Sequence, residues 1–123
     1  MPRASSEFDF RRPVAYDNQA KRAFHVHARR QLKLLAGVLG LPPQSYDLRS
    51  NAGAVAVSGE VTMHADRVYV QACQPATGQD SGLLFRVCQG RKDYCGGPNN
   101  FVSLDLLNRP DELARRITAA CCV

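Results

Sequence analysis

One stretch of the chain has a strict helical period, and it determines the first element of the fold. Apolar side chains recur there at spacings of four, four, three and four residues: Phe24, Ala28, Leu32, Leu35 and Leu39. Because this spacing places them on one side of an α-helix, it predicts an amphipathic helix from about Asp17 to Leu39. Asp17 or Asn18 suits the N-cap, and Gly40, followed by a Pro-Pro pair, marks the end.

Three later segments have the two-residue period of β-strands. Residues 55–64 alternate between apolar and polar side chains, and residues 67–73 do the same after a tight turn at Ala65-Asp66. Residues 83–88 form a third run of this kind. Neighbouring runs of this kind pair antiparallel, so the pattern predicts a hairpin with a third strand beside it.

The remaining segments complete the predicted architecture. Residues 45–51 fit a short strand or a turn, residues 101–107 fit a single helical turn, and a second helix begins near Pro110. The order α-β-β-β-α predicts an α+β fold, with two helices packed on one face of a three-stranded antiparallel sheet. We expect an N-terminal arm at residues 1–15 and a single domain at residues 16–123.

The order α-β-β-β-α resembles the double-stranded-RNA-binding fold in topology alone. At the start of the last helix, where that fold has basic residues, this chain has Asp111 and Glu112. The resemblance therefore implies no role for any residue of this chain.

Composition excludes several classes of protein. The chain of 123 residues is long enough for one hydrophobic core, and its longest apolar run is far too short to span a membrane. The first residues lack the apolar region of a secretory signal, which predicts a cytoplasmic protein. Five cysteines without a Cys-x-x-Cys pair favour reduced thiols, so neither a metal nor a cofactor is predicted.

Positive charge is concentrated in the first third of the chain. Residues 1–41 contain eight Arg or Lys and three acids, and the formal net charge of the whole chain is +5. On the predicted helix, Arg22, His25, Arg29 and Lys33 form a basic stripe away from the apolar side. Such a stripe suits contact with phosphates, or it is an ordinary solvated helix face.

Residues 90–100 combine cations, an acid, an aromatic ring, a thiol, paired glycines and paired amides. A connection this rich in hydrogen-bonding groups is where we expect ligand contacts, because ordinary connections are short and bland. The leading hypothesis is a small binding module for nucleic acid or another polyanion. Its contacts are expected at six residues: Arg22, Arg29, Lys33, Arg91, Lys92 and Tyr94.

Two further hypotheses stay open. Pairing around the 65–66 turn predicts a polar row of Glu60, Gln71 and Arg86 on the sheet face away from the helices. A small enzyme or ligand-binding protein would use this face, with the 90–100 loop as its wall. Its expected ligand contacts are Glu60, Gln71, Arg86, Asp93, Tyr94, Gly96, Gly97 and Asn99.

No known catalytic motif occurs, so no catalytic residue is assigned and the enzyme hypothesis stays open. The third hypothesis is a regulator that binds another protein, with a homodimer as one form of it.

Overall fold

Helix α1 spans Asn18–Val38 and confirms the first element predicted from the sequence. The computed structural model of the chain describes residues 7–14, 17–53, 58–74, 82–93 and 96–121. Asp17 caps α1, since its carboxylate accepts the backbone N–H of Ala20 at 3.0 Å. Gly40 follows the helix at a φ of 78°, a left-handed conformation that glycine adopts without strain.

Five antiparallel strands form one sheet in the order β1-β2-β3-β4-β5. They span Tyr46–Asn51 (β1), Glu60–Ala65 (β2), Val68–Ala72 (β3), Leu83–Val87 (β4) and Asn100–Val102 (β5). A 3₁₀ helix at Leu104–Asn108 and helix α2 at Pro110–Cys121 follow. The predicted α+β class is therefore confirmed, while the three-stranded sheet is wrong, and with it the α-β-β-β-α order.

The two unpredicted strands are short and lie at the edges of the sheet. In β1, Tyr46 and Leu48 point to the helices, while Asp47 and Arg49 point away. Charged side chains at alternate positions of a short segment are equally typical of a turn. Strand β5 contains three residues, which is too few to show any period.

The β2–β3 hairpin is confirmed, but its register differs from the predicted one by two residues. Thr62 lies opposite Gln71, where the predicted register had Glu60. Arg86 lies opposite Tyr69. The predicted row of Glu60, Gln71 and Arg86 is therefore wrong. The turn begins one residue later than expected, and the resulting two-residue shift leaves every side chain on its predicted face.

Both helices contribute to a single core on one face of the sheet. Its fully buried side chains include Phe24, Leu32, Leu35, Val61, Met63, Val70, Leu83, Leu113 and Ile117. Alternate residues of each strand supply this face, which is why Val61, Val68 and Val70 lie in the core while their neighbours point away. Among the described helices, none has the length and apolarity that crossing a membrane requires.

The segment before α1 packs into the core. Phe10 is fully buried, and its ring centroid lies 6.0 Å from that of Phe24. Gln74 holds this segment through three hydrogen bonds. Its side-chain nitrogen donates to the carbonyl oxygens of Phe10 at 2.9 Å and Arg12 at 2.7 Å, and its oxygen accepts the N–H of Val14 at 3.2 Å. Of the predicted arm at 1–15, the structure describes only residues 7–14.

Candidate functional site

Two pockets lie between helix α1 and the edge strand β1. One, toward the beginning of α1, is lined by Lys21, Arg22, His25, Val26, Ser50 and Ala52. The other, farther along α1, is lined by Arg29, Lys33, Pro43, Tyr46, Asp47, Leu48 and Arg49. We call the two together the α1–β1 groove. It contains three of the predicted nucleic-acid contacts, Arg22, Arg29 and Lys33.

Acids of the described residues leave most of the positive charge in the α1–β1 groove without an ion pair. Within the described residues, four of its cations form no ion pair: Lys21, Arg22, Arg29 and Lys33. Asp47 is the acid among the lining residues, and it lies 3.8 Å from Arg49. The four free cations extend over about 18 Å of helix at 1.5 Å per residue. Cations in such a row produce a positive potential that attracts anions.

Two side chains of α1 cross to the sheet and set the shape of the groove. Arg29 Nη1 donates to the carbonyl oxygen of Leu48 at 3.4 Å and to the hydroxyl of Ser50 at 3.3 Å. His25 Nε2 lies 2.7 Å from the carbonyl oxygen of Ser58. The Arg29 contacts join α1 to β1, and the His25 contact joins α1 to Ser58, two residues before β2 begins.

The 90–100 loop is the connection between β4 and β5, and Asp93 organises its backbone. The Asp93 carboxylate accepts the N–H of Gln89 at 2.8 Å and the N–H of Gly96 at 3.0 Å. The N–H of Gly97 then donates to a carbonyl oxygen of β4 at 3.0 Å and returns the chain alongside that strand. Asp93, predicted as a ligand contact, thus has a structural role in the loop.

Arg91 ties the loop to the other end of the sheet. Its guanidinium lies 3.5 Å from a carboxylate oxygen of Asp47 and 3.5 Å from one of Asp66, and it donates to the carbonyl oxygen of Gln44. Asp47 also lines the α1–β1 groove, so the loop does approach the basic helix. The charge of Arg91, however, is compensated by the two acids.

Two rows of side chains cross the sheet face away from the helices, which we call the open face. One row consists of Arg49, Thr62, Gln71, Leu84 and Phe101. The next consists of Asp47, His64, Tyr69 and Arg86. The second row is largely buried, with His64 0% and Arg86 6% exposed, whereas Phe101 in the first row is 55% exposed. The open face is therefore covered only in part.

His64 is buried beside two arginines. Nη2 of Arg49 lies 2.8 Å from its Nδ1, and the Tyr69 ring packs edge-on with centroids 5.0 Å apart. Burial lowers the pKa of His64 below its usual 6.5, and the charges of Arg49 and Arg86 lower it further. A backbone hydrogen bond with Gly90 acts in the opposite direction. The neutral imidazole is favoured, and its Nδ1 accepts a hydrogen bond from Arg49.

The guanidinium of Arg86 lies between an aromatic ring and the loop backbone. Its Cζ is 4.4 Å from the centroid of the Tyr69 ring, a cation–π distance. On the other side, a β-carbon on Gly96 would overlap Nη1 of Arg86 and the carbonyl oxygen of Val87. Gly96 was predicted as a ligand contact, and in the structure Arg86 lies against it.

The other predicted contacts differ in accessibility. Lys92 and Asn99 are exposed. Gln71 is half-buried on the open face and accepts a hydrogen bond from a tyrosine hydroxyl at 2.9 Å. Glu60 lies on the same face at the beginning of β2. Tyr94 lies outside the described residues, so its contact with nucleic acid stays a prediction.

The residues of these surfaces that were not predicted include Lys21, Arg49 and Phe101. Lys21 lies in the α1–β1 groove, and its position directly before Arg22 was the signal for it. Arg49 could be placed only once residues 45–51 were known to form a strand. Phe101, assigned to a helical turn, points from β5 onto the open face.

Three large apolar side chains are exposed on α1: Val26, Leu34 and Val38. An exposed apolar surface is what the protein-binding hypothesis requires. Scattered exposed apolar residues are also ordinary in a monomer, so that hypothesis stays a prediction.

Within the described ranges, no three side chains of His, Cys, Asp or Glu lie close enough together to hold a metal ion. Comparison with protein-family models, with curated proteins and with solved structures found no match.

Proposed function

We propose that this protein binds a polyanion, with nucleic acid as the favoured partner, through the α1–β1 groove. The observation that carries the proposal is the row of four cations without an ion pair in the described residues: Lys21, Arg22, Arg29 and Lys33. Phosphate groups attract such a row, and the release of counterions from nucleic acid drives binding.

The dimensions of the row fit a phosphate backbone. Its length of about 18 Å equals roughly half a helical turn of a DNA duplex, at about 34 Å per turn. Within the described lining, the aromatic ring of Tyr46 is buried and offers no surface for stacking on a base. The proposed contacts are therefore with phosphates, and binding is largely independent of base sequence.

The 90–100 loop has a smaller part in this proposal than the sequence suggested. Arg91 is paired with two acids, so it has little charge left for a phosphate. Lys92 is exposed on the same loop and is a further candidate contact.

The proposal is tested by removing two of the free cations and comparing the affinity for a short fluorescently labelled duplex by anisotropy. The Arg29→Gln/Lys33→Gln double variant is expected to bind about 30-fold more weakly, since two phosphate contacts of roughly 1 kcal/mol each are lost. Circular dichroism checks that the double variant is folded.

The matched control is Arg115→Gln/Arg116→Gln, which lowers the net charge by the same amount. Both arginines lie on α2 and pair with Glu112, away from the groove. The control is expected to bind nearly as tightly as the unmodified protein. An equal loss of affinity in the two double variants would mean that only net charge matters, and the assignment to the groove would be wrong.

A further inference from the structure

Arg86 is a buried cation whose charge is not balanced by any acid in the described part of the chain. It is 6% exposed, and its Nη1 has no hydrogen-bond partner within the described residues. The ring of Tyr69 lies 4.4 Å from Cζ and offers a cation–π contact. Buried charges in proteins are normally paired and hydrogen-bonded, because removing them from water costs several kcal/mol. The arrangement suits a bound anion.

An apolar surface lies beside Arg86 on the open face. Leu84 precedes Arg86 by two residues on β4, so both side chains point to this face. Leu84 lies opposite Phe101 of β5, whose ring is 55% exposed. Diagonal neighbours in an antiparallel pair are about 7–8 Å apart, which places the Arg86 guanidinium and the Phe101 ring within reach of one small molecule.

A polar group borders the same surface. Gln71 lies opposite Leu84, and its side-chain oxygen accepts a hydrogen bond from the Tyr69 hydroxyl at 2.9 Å. Cation, apolar surface and amide thus occur together on neighbouring strands. A few polar groups beside an apolar surface are the usual composition of a small-molecule site.

We propose that the open face binds a small organic anion that has an aromatic or aliphatic group next to a carboxylate or phosphate. The apolar group lies on Leu84 and Phe101, and the anionic group accepts hydrogen bonds from Arg86, whose planar fork matches either oxyanion. This goes beyond the binding of a polyanion, since the site lies on the opposite side of the sheet from α1.

Binding requires a small movement of the loop. The Gly96 backbone lies against Nη1 of Arg86, so the anion takes the place of this contact. Gly96 and Gly97 allow backbone changes that other residues resist, which makes this movement inexpensive. The backbone amides of both glycines should therefore respond when the ligand binds.

The test is a titration followed by NMR, with benzoate, phenyl phosphate, inorganic phosphate and the neutral benzyl alcohol as probes at constant ionic strength. Benzoate or phenyl phosphate, or both, should give saturable shifts at the Arg86 Nε–H, at Leu84 and Phe101, and at the amides of Gly96 and Gly97. Inorganic phosphate should bind more weakly, because it lacks the apolar group. Whichever of the two aromatic anions binds more tightly identifies the preferred oxyanion.

Two variants and one control separate this site from other causes. Arg86→Gln should weaken binding of the aromatic anion about 10-fold or more, since a charged hydrogen-bond donor is lost. Phe101→Ala changes an exposed side chain, so it should fold normally and should weaken binding about 5-fold. Arg30→Gln, at an exposed arginine of α1, should have no effect.

Three results would overturn the proposal: shifts that do not saturate, equal shifts with benzyl alcohol, or unchanged binding in Phe101→Ala. The outcome is independent of the polyanion proposal. Arg29→Gln/Lys33→Gln should retain binding of the aromatic anion, and Phe101→Ala should retain binding of the duplex.

Discussion

Replacing Gly96 by alanine should destabilise the protein, because the added methyl group has no space. A β-carbon there would overlap Nη1 of Arg86 and the carbonyl oxygen of Val87, and it would lie 3.1 Å from Cζ of Arg86. The carbonyl belongs to the backbone of β4 and cannot move aside without disturbing the sheet. Overpacking of this kind costs about 1–3 kcal/mol. Alanine also restricts the unfolded chain, which offsets about 0.4–1 kcal/mol of that cost.

The matched control is the neighbouring glycine. A β-carbon on Gly97 would lie 3.7 Å from Cβ of Val87, which is an ordinary van der Waals distance. Gly97→Ala should therefore leave stability unchanged or raise it by up to about 1 kcal/mol. Gly96 and Gly97 share the same loop, so the difference between the two variants reports the close packing of Gly96 against Arg86 and the Val87 carbonyl.

Urea unfolding measures this difference. We expect the midpoint for Gly96→Ala to fall by about 0.5–1.5 M relative to Gly97→Ala, using a slope of roughly 2 kcal/mol per molar urea. Equal midpoints for the two alanine variants would refute the reasoning, because they would show that Gly96 does not pack closely against Arg86 and the Val87 carbonyl.

Two further predictions concern buried polar side chains. Burial lowers the pKa of His64 in the folded state below 6.5, so the unfolded chain binds this proton more tightly. The contribution of neutral His64 to the free energy of unfolding is therefore fully present above about pH 6.5. It decreases as the pH falls below that value, by at most about 1.4 kcal/mol per pH unit. Urea unfolding at about pH 7.5 and about pH 5 should show a smaller decrease in the free energy of unfolding for His64→Gln than for the unmodified protein. The control is His27→Gln, which replaces a histidine of α1 and should behave like the unmodified protein. Equal decreases in all three proteins would contradict this prediction. Gln74→Ala removes three hydrogen bonds to the segment before α1 and should lower the unfolding free energy by about 2–4 kcal/mol. Hydrogen exchange at the Val14 amide should become faster in that variant, and unchanged protection would show that Gln74 does not hold the segment.

The sequence predicts elements well where a period extends over several turns or pairs. Helix α1 was predicted because apolar residues such as Phe24, Leu32 and Leu35 repeat along its length. Its cap, Asp17, was one of the two candidates at the start of that pattern. The hairpin of β2 and β3 was predicted because alternation extends over both strands. Its register was wrong by two residues, since alternation determines which face a side chain occupies and not which residue lies opposite.

A periodic pattern predicts neither short edge strands nor contacts between residues that are distant in the sequence. Strand β5 has three residues and follows a glycine-rich loop, so no pattern identifies it. The unusual composition of the loop did mark a special location. Nothing in the sequence shows, however, that Asp93 binds the loop backbone or that Gly96 lies against Arg86. Contacts of this kind depend on which strands are neighbours, and that becomes known only with the complete sheet.

For the candidate sites, the sequence showed where the cations lie along the chain but not which of them form ion pairs. The basic stripe on α1 was predicted, and Arg22, Arg29 and Lys33 do line one groove. Arg91 is also a cation, but it lies between two acids, Asp47 and Asp66. A cation that has two acidic neighbours in space is indistinguishable in sequence from one that has none.

The salt dependence of duplex binding reports how many phosphate contacts the α1–β1 groove makes. If the four free cations of the α1–β1 groove contact phosphates, the logarithm of affinity should fall with the logarithm of salt concentration at a slope of about −3 to −4. Between about 50 and 200 mM salt, this corresponds to a loss of roughly 100-fold. Arg29→Gln/Lys33→Gln should reduce the slope by about 2, whereas Arg115→Gln/Arg116→Gln should leave it unchanged. A flat salt dependence, or the same slope in both double variants, would contradict the binding of a polyanion in this groove.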